Sequence, residues 1–68
     1  MSKYKEFLNK EVNVVYKFSN SIVNLRTKGI LIADNGIEIV IRCTGEVNKG
    51  ITKVIEYEDL ISVEKIKI

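Results

Sequence analysis

The sequence predicts an all-β fold: a short N-terminal helix followed by five strongly bent antiparallel strands that close into a small barrel. Three observations carry that expectation. From Glu11 onward apolar residues recur at every second position, the period of a strand with one buried face. Polar and glycine-rich breaks at residues 19–21, 34–36 and 44–50, with a very short turn at Asp59, divide this stretch into five runs. Gly29 falls in the middle of the longest run, where a missing side chain marks a bend or a close approach of backbones.

Each element can be justified in turn. SKYKEFLNK opens with Ser2 as a candidate N-cap and sets Tyr4, Phe7 and Leu8 at helical spacing, which predicts a helix over about residues 3–9. A helix of about two turns persists only by packing its apolar side, here against one end or the open seam of the barrel. The first strand, 11–18, turns Val12, Val14, Tyr16 and Phe18 to one face. The second, 22–33, places Val23, Leu25, Thr27 and Leu31 on one side with Gly29 in register, so its first half pairs back and its second half turns the corner. Asp34-Asn35-Gly36 predicts a type I′ hairpin turn, in which both central residues need positive φ. In the third strand, 37–43, Ile37, Ile39, Ile41 and Cys43 point inward. The fourth, 51–57, puts Ile51, Ile55 and Tyr57 on one face, with Lys53 in their register and Val54 opposite. The fifth, 60–68, slips phase between Val63 and Ile66, which reads as a bulge.

A helix followed by five strands favours an SH3-like barrel over an OB barrel, which needs a helix between its third and fourth strands. Residues 44–50 are too short and too glycine-rich to supply one. All-β closure also gives most strand edges a partner.

The totals narrow the function. Sixty-eight residues make a single domain, and a chain this short hides only about 60% of the surface its unfolded form exposes. Cys43 is the sole cysteine and histidine is absent, so neither an internal disulfide nor a Cys/His zinc site can be assembled. Self-association is the remaining staple. No apolar run approaches the ~20 residues that span a bilayer, no signal peptide is evident, and a lone thiol suits a reducing compartment. A soluble, cytoplasmic chain without membrane contact is expected. The net charge of +2 is mild, but residues 1–34 hold six basic residues against three acidic ones, whereas residues 35–68 hold five against six.

In its layout the chain resembles the Sm/LSm family, bacterial Hfq among its members. Gly29 matches the glycine midway along that family's second strand, Asp34 matches the aspartate five residues later, and IEIVIR resembles its apolar third strand. The family's apolar–Arg–Gly turn between strands four and five is replaced by Glu58-Asp59, and Asn35 follows Asp34 directly instead of standing apart from it. The resemblance implies a homo-oligomeric ring, a hexamer or heptamer, in which strand four of one subunit pairs with strand five of the next. Val54, Glu56, Ile66 and Ile68 would then form the interface. It also implies single-stranded RNA as ligand.

The residues themselves offer material for these roles. Lys17, Arg26, Lys28 and Arg42 could form a basic track, with Asp34 and Asn35 as a ligand loop and Tyr4, Tyr16 and Tyr57 as stacking platforms. Equally, Asp34-Asn35 can serve the turn alone, and Tyr16 and Tyr57 lie in inward register. At the carboxy-terminal strand, Ile66 and Ile68 invite edge pairing while Lys65 and Lys67 oppose it. No nucleophile–base pair of the ordinary types is present and the carboxylates at Glu56, Glu58 and Asp59 read as surface, so no catalysis, metal or cofactor is expected. Two readings remain: a non-enzymatic Sm-like RNA-binding protein with a role in RNA processing or regulation, and an SH3-like protein-interaction module with no nucleic-acid ligand.

Overall fold

A computed structural model describes residues 3–18, 22–46 and 49–66. It shows five antiparallel strands in one sheet: β1 (Glu11–Tyr16), β2 (Leu25–Asp34), β3 (Glu38–Cys43), β4 (Thr52–Glu56) and β5 (Leu60–Lys65). Their order across the sheet is β4-β3-β2-β1-β5, so β4 and β5 stand at the two edges and do not pair with each other.

That order forces curvature. Between Glu56 and Leu60 lies only the 3₁₀ turn Tyr57–Asp59. Four peptide steps reach about 14 Å at most, whereas four inter-strand spacings across a flat sheet total about 19 Å. The sheet therefore coils until β4 lies across the end of β1. Two hydrogen bonds mark the approach: Lys53 Nζ donates to the Tyr16 hydroxyl at 3.4 Å, and the Lys17 amide donates to the Asp59 carbonyl at 3.0 Å.

β2 is the spine of the coil. Its first half pairs with β1 (Val12↔Gly29), its second half with β3 (Gly29↔Cys43), and Gly29 and Ile30 serve both ladders. A Cβ on Gly29 would stand 2.3 Å from the Arg42 carbonyl oxygen and 2.6 Å from Ile41 Cγ2. Glycine is required there because two backbones meet, and β2 runs through the position as one ten-residue strand. The register shifts lie elsewhere. One extra residue, Ile32, interrupts the β2–β3 ladder, and another, Ile61, interrupts β1–β5. The bulge expected between Val63 and Ile66 is thus displaced to the start of β5.

Val12, Val14, Tyr16, Leu31, Ile39, Ile41 and Ile55 form the buried core, with Cys43 beside them and its sulfur 3.4 Å from the Thr27 hydroxyl. Tyr16 is thereby a core residue and no stacking platform. Strand ends are shorter than the alternation suggested. Phe18 (64% exposed), Ile22 (99%), Val23 and Ile51 lie beyond the strands and face outward, as does Ile37 (73%) in the β2–β3 loop. The Lys17 amide explains Phe18: once it bonds Asp59, the chain has left the β1 ladder.

The N-terminal helix does not form; its place is taken by one 3₁₀ turn, Lys5–Phe7. The Asn9 amide, which an α-helix would give to Lys5, instead donates to the Leu31 carbonyl at 2.8 Å, and Leu31 donates back to Lys10 at 3.1 Å. Asn9 itself takes φ 65°. β2 has outcompeted the helix for these groups. Tyr4, Phe7 and Leu8 nevertheless pack against the core, as the helical spacing required. Ser2, the expected cap, lies outside the described residues.

Candidate functional site

Alternation along β2 sends Thr27, Gly29 and Leu31 into the core and Arg26 and Lys28 to the opposite, outer face. On β3, Arg42 sits between buried Ile41 and Cys43 and emerges on that same face. Register makes them neighbours: Arg42 lies across from Ile30, two residues along from Lys28, while Lys28 faces Asn13 and Arg26 faces Val15. None of the three cationic side chains has a hydrogen-bond or ion-pair partner among the described residues.

The ladder continues onto β5, where Asn13 faces Glu64 and Val15 faces Ser62. Asn13, Val15, Arg26, Ser62 and Glu64 line a depression of about 330 Å³ above Val14. Arg26 and Glu64 carry opposite charge in one cleft without forming an ion pair. Sequence reasoning missed Asn13, Ser62 and Glu64. The available signal was their outward register on two strands, but nothing local reveals that β1 lies beside β5.

The tip of the β2–β3 hairpin is built differently. The Asp34 carboxylate is buried and accepts from the amides of Tyr4 and Gly36, each at 2.9 Å, and from the Tyr57 hydroxyl. That hydroxyl accepts in turn from the Lys3 amide at 3.0 Å, and the Tyr57 ring lies 5.7 Å from Tyr4. Burial disfavours the Asp34 anion. The hydrogen bonds from Tyr57, Gly36 and Tyr4, with the nearby Lys5 charge, outweigh it and hold the carboxyl below the ordinary carboxylate range. Burial and the same Asp34 bond push the Tyr57 phenol up.

Asn35 Oδ1 accepts from the amides of Ile37 (2.9 Å) and Glu38 (2.8 Å), and its Nδ2 meets the Glu38 carboxylate at 3.4 Å. Only Gly36 in this turn has positive φ, 87°, so the expected type I′ geometry is absent. An Asx-type turn with glycine at its first central position takes its place. Asp34 and Asn35 therefore stand at the far end of β2 from Arg26, eight residues and about 26 Å along the strand. The structure brings Arg26, Lys28 and Arg42 together and leaves the hairpin tip apart.

The residues expected at an assembly interface fall on or next to the two edge strands where they are described. Val54 (58% exposed) and Glu56 project from β4, and Ile66 follows β5 half-buried; Ile68 lies outside the described residues. A mainly apolar groove of about 220 Å³ runs beside Val54, lined by Tyr16, Phe18, Lys53 and Ile55. At the end of β4, Glu58 and then Asp59 and Glu38 crowd Glu56 and raise its pKa.

Among the described residues no cluster of three or more His, Cys, Asp or Glu side chains could hold a metal, and no helix is long and apolar enough to cross a membrane. No protein-family model, curated protein or solved structure matches the chain.

Proposed function

We propose that this chain is a non-enzymatic Sm-like RNA-binding protein that joins copies of itself through the β4 and β5 edges into a hexameric or heptameric ring, and that it serves RNA processing or regulation in the cytoplasm. The observation that carries the reading is the outer-face trio of Arg26, Lys28 and Arg42, whose charges have no partner among the described residues and share one face of neighbouring strands, as a basic track for a nucleic-acid backbone requires. Ring assembly rests on two edges with unspent backbone groups, at β4 and β5, which an antiparallel pairing between copies would complete and so close each sheet into a continuous barrel wall.

The competing reading is an SH3-like protein-interaction module with no nucleic-acid ligand. The groove between Phe18 and Val54 favours it, since it lies against the free edge of β4 where an extended peptide could add. Titrating uridine- and adenosine-rich oligonucleotides at rising salt separates the two. RNA binding requires affinity that falls steeply with salt and drops further in Arg26→Glu and Lys28→Glu. Negligible binding at low salt removes it. Light scattering reads the assembly: a mass of six or seven chains supports the ring, and a monomer removes it.

A further inference from the structure

We propose that the cleft across β2, β1 and β5 is a base-reading pocket for guanine in a single RNA strand; the proposal rests on the RNA-binding reading above and names what that face selects. The starting point is the charge that does not fit a plain phosphate track. Glu64 lies in the same cleft as Arg26, directly across the ladder from Asn13, and neither charged group is paired among the described residues. A carboxylate repels phosphate, so its place in one cleft with Arg26, with Lys28 and Arg42 further along the face, suits a ligand that offers hydrogen-bond donors at one point and anionic oxygens around it.

Guanine meets that description best. Its Watson–Crick edge presents two adjacent N–H donors, N1–H and N2–H, which match the two oxygens of one carboxylate. Beside them lies O6, an acceptor, and beside Glu64 lies Asn13, whose amide N–H can donate to it. Adenine and cytosine each offer a single exocyclic amino group on that edge, next to a ring nitrogen that repels the carboxylate. Uracil offers one N–H between two carbonyl oxygens. Unstacked single-stranded bases are the form in which these edges become accessible. Val15 supplies the apolar patch between Asn13 and Arg26, and Ser62 opposite it is small enough to leave the cleft open. Arg26, with Lys28 and Arg42 further along the face, is left for the flanking phosphates. The cleft lies on the β1 side of β5, so a second chain pairing with the free edge of β5 leaves it uncovered.

The test is a nuclear magnetic resonance titration of the full chain with GMP, AMP, CMP and UMP, followed by uridine tracts with and without one guanosine. A bidentate base contact discriminates by about 5- to 150-fold. The expected result is GMP binding at least about fivefold tighter than the other three, with shifts centred on the amides of Asn13, Val15 and Ser62. Glu64→Gln should bring that preference below about twofold while uridine-tract binding persists. Arg26→Ala should weaken all four nucleotides alike. Equal affinity for the four nucleotides, or shifts centred elsewhere, overturns the pocket. If uridine tracts still bind in that case, the RNA-binding reading stands without it; if no RNA binds at low salt, both fall.

Discussion

The hairpin tip and the outer face are two polar regions of one strand, and they use charge in opposite ways. At the tip, the Asp34 carboxylate is surrounded by donors from Tyr4, Gly36 and Tyr57, and Asn35 spends its side chain on the turn that holds it. On the outer face, Arg26, Lys28, Arg42 and Glu64 have no partner among the described residues. A saturated buried charge organises the fold, because removing it strands the groups that were bonded to it. An unpartnered exposed charge contributes little to the fold and is available to a ligand. The tip is therefore read as architecture and the outer face as the working surface.

Gly29 is where the two regions share a backbone, and its substitution should have the largest effect. In Gly29→Ala the new methyl meets the Arg42 carbonyl, so β2 and β3 must separate. Overpacking costs typically 1–3 kcal/mol where side chains can yield, and here the obstacle is main chain. A domain of this size has about 3–5 kcal/mol to lose. The expected outcome is loss of a cooperative thermal transition, with tip and outer face failing together. Retention of a sharp transition within about 5 °C of the parent, roughly 1 kcal/mol for a chain of this length, would show that the sheet can open locally.

Asp34→Ala comes next and strikes the tip alone. It leaves the Tyr57 hydroxyl and two backbone amides without their acceptor, at about 1–3 kcal/mol in total once water reaches some of them. Tm should fall by roughly 4–8 °C per kcal/mol. Residues of the outer face should keep their chemical shifts, and affinity for RNA should be unchanged under conditions where the variant remains folded. A loss of affinity in the folded variant would move the tip back into the ligand site.

Much of this division was unreadable in the sequence, for identifiable reasons. The strands themselves were legible, since Val12/Val14/Tyr16 and Ile39/Ile41/Cys43 keep strict alternation and do point inward. Alternation carries no mark of where a strand starts or stops, so Phe18 and Ile37 were assigned to the core although β1 ends before Phe18 and β3 begins after Ile37. The bulge at Ile32 matters most for the site. Continued alternation from Leu31 would bury Ala33 and expose Asp34 to a ligand; the extra residue reverses this and turns Asp34 inward. Neighbours across β1 and β5, such as Asn13 and Glu64, are about fifty positions apart in the chain and share no local signal. Gly29 was legible as a constraint, and the two backbones it separates were not.

Acid titration offers a finer contrast between carboxylates. Asp34 has a folded pKa below its unfolded value, so the stability it contributes is complete above the ordinary carboxylate range and is lost as pH falls through the folded pKa. Glu56 is shifted the other way by Glu58, and then by Asp59 and Glu38. Its anion is disfavoured in the fold, so protonating it as pH falls toward the carboxylate range relieves repulsion and raises stability slightly. Stability should therefore rise a little on mild acidification and decline at lower pH. Glu56→Gln should remove the rise and leave the decline, and Asp34→Asn should remove most of the decline. A parent profile that shows no rise on mild acidification would show that solvent screens the Glu56 cluster fully.

The smallest effect on stability, and the most direct measure of the outer face, belongs to Arg26→Ala. The side chain is exposed and has no hydrogen-bond or ion-pair partner among the described residues to lose, so the change in folding free energy should stay within about 0.5 kcal/mol. Its effect on ligand should be out of proportion to that figure. Each phosphate contact removed should lower the salt slope of RNA binding by about one unit, in a protein whose melting curve overlays that of the parent. A matched loss of stability would mean that Arg26 is engaged within the fold, and the distinction between an architectural tip and a working face would then disappear.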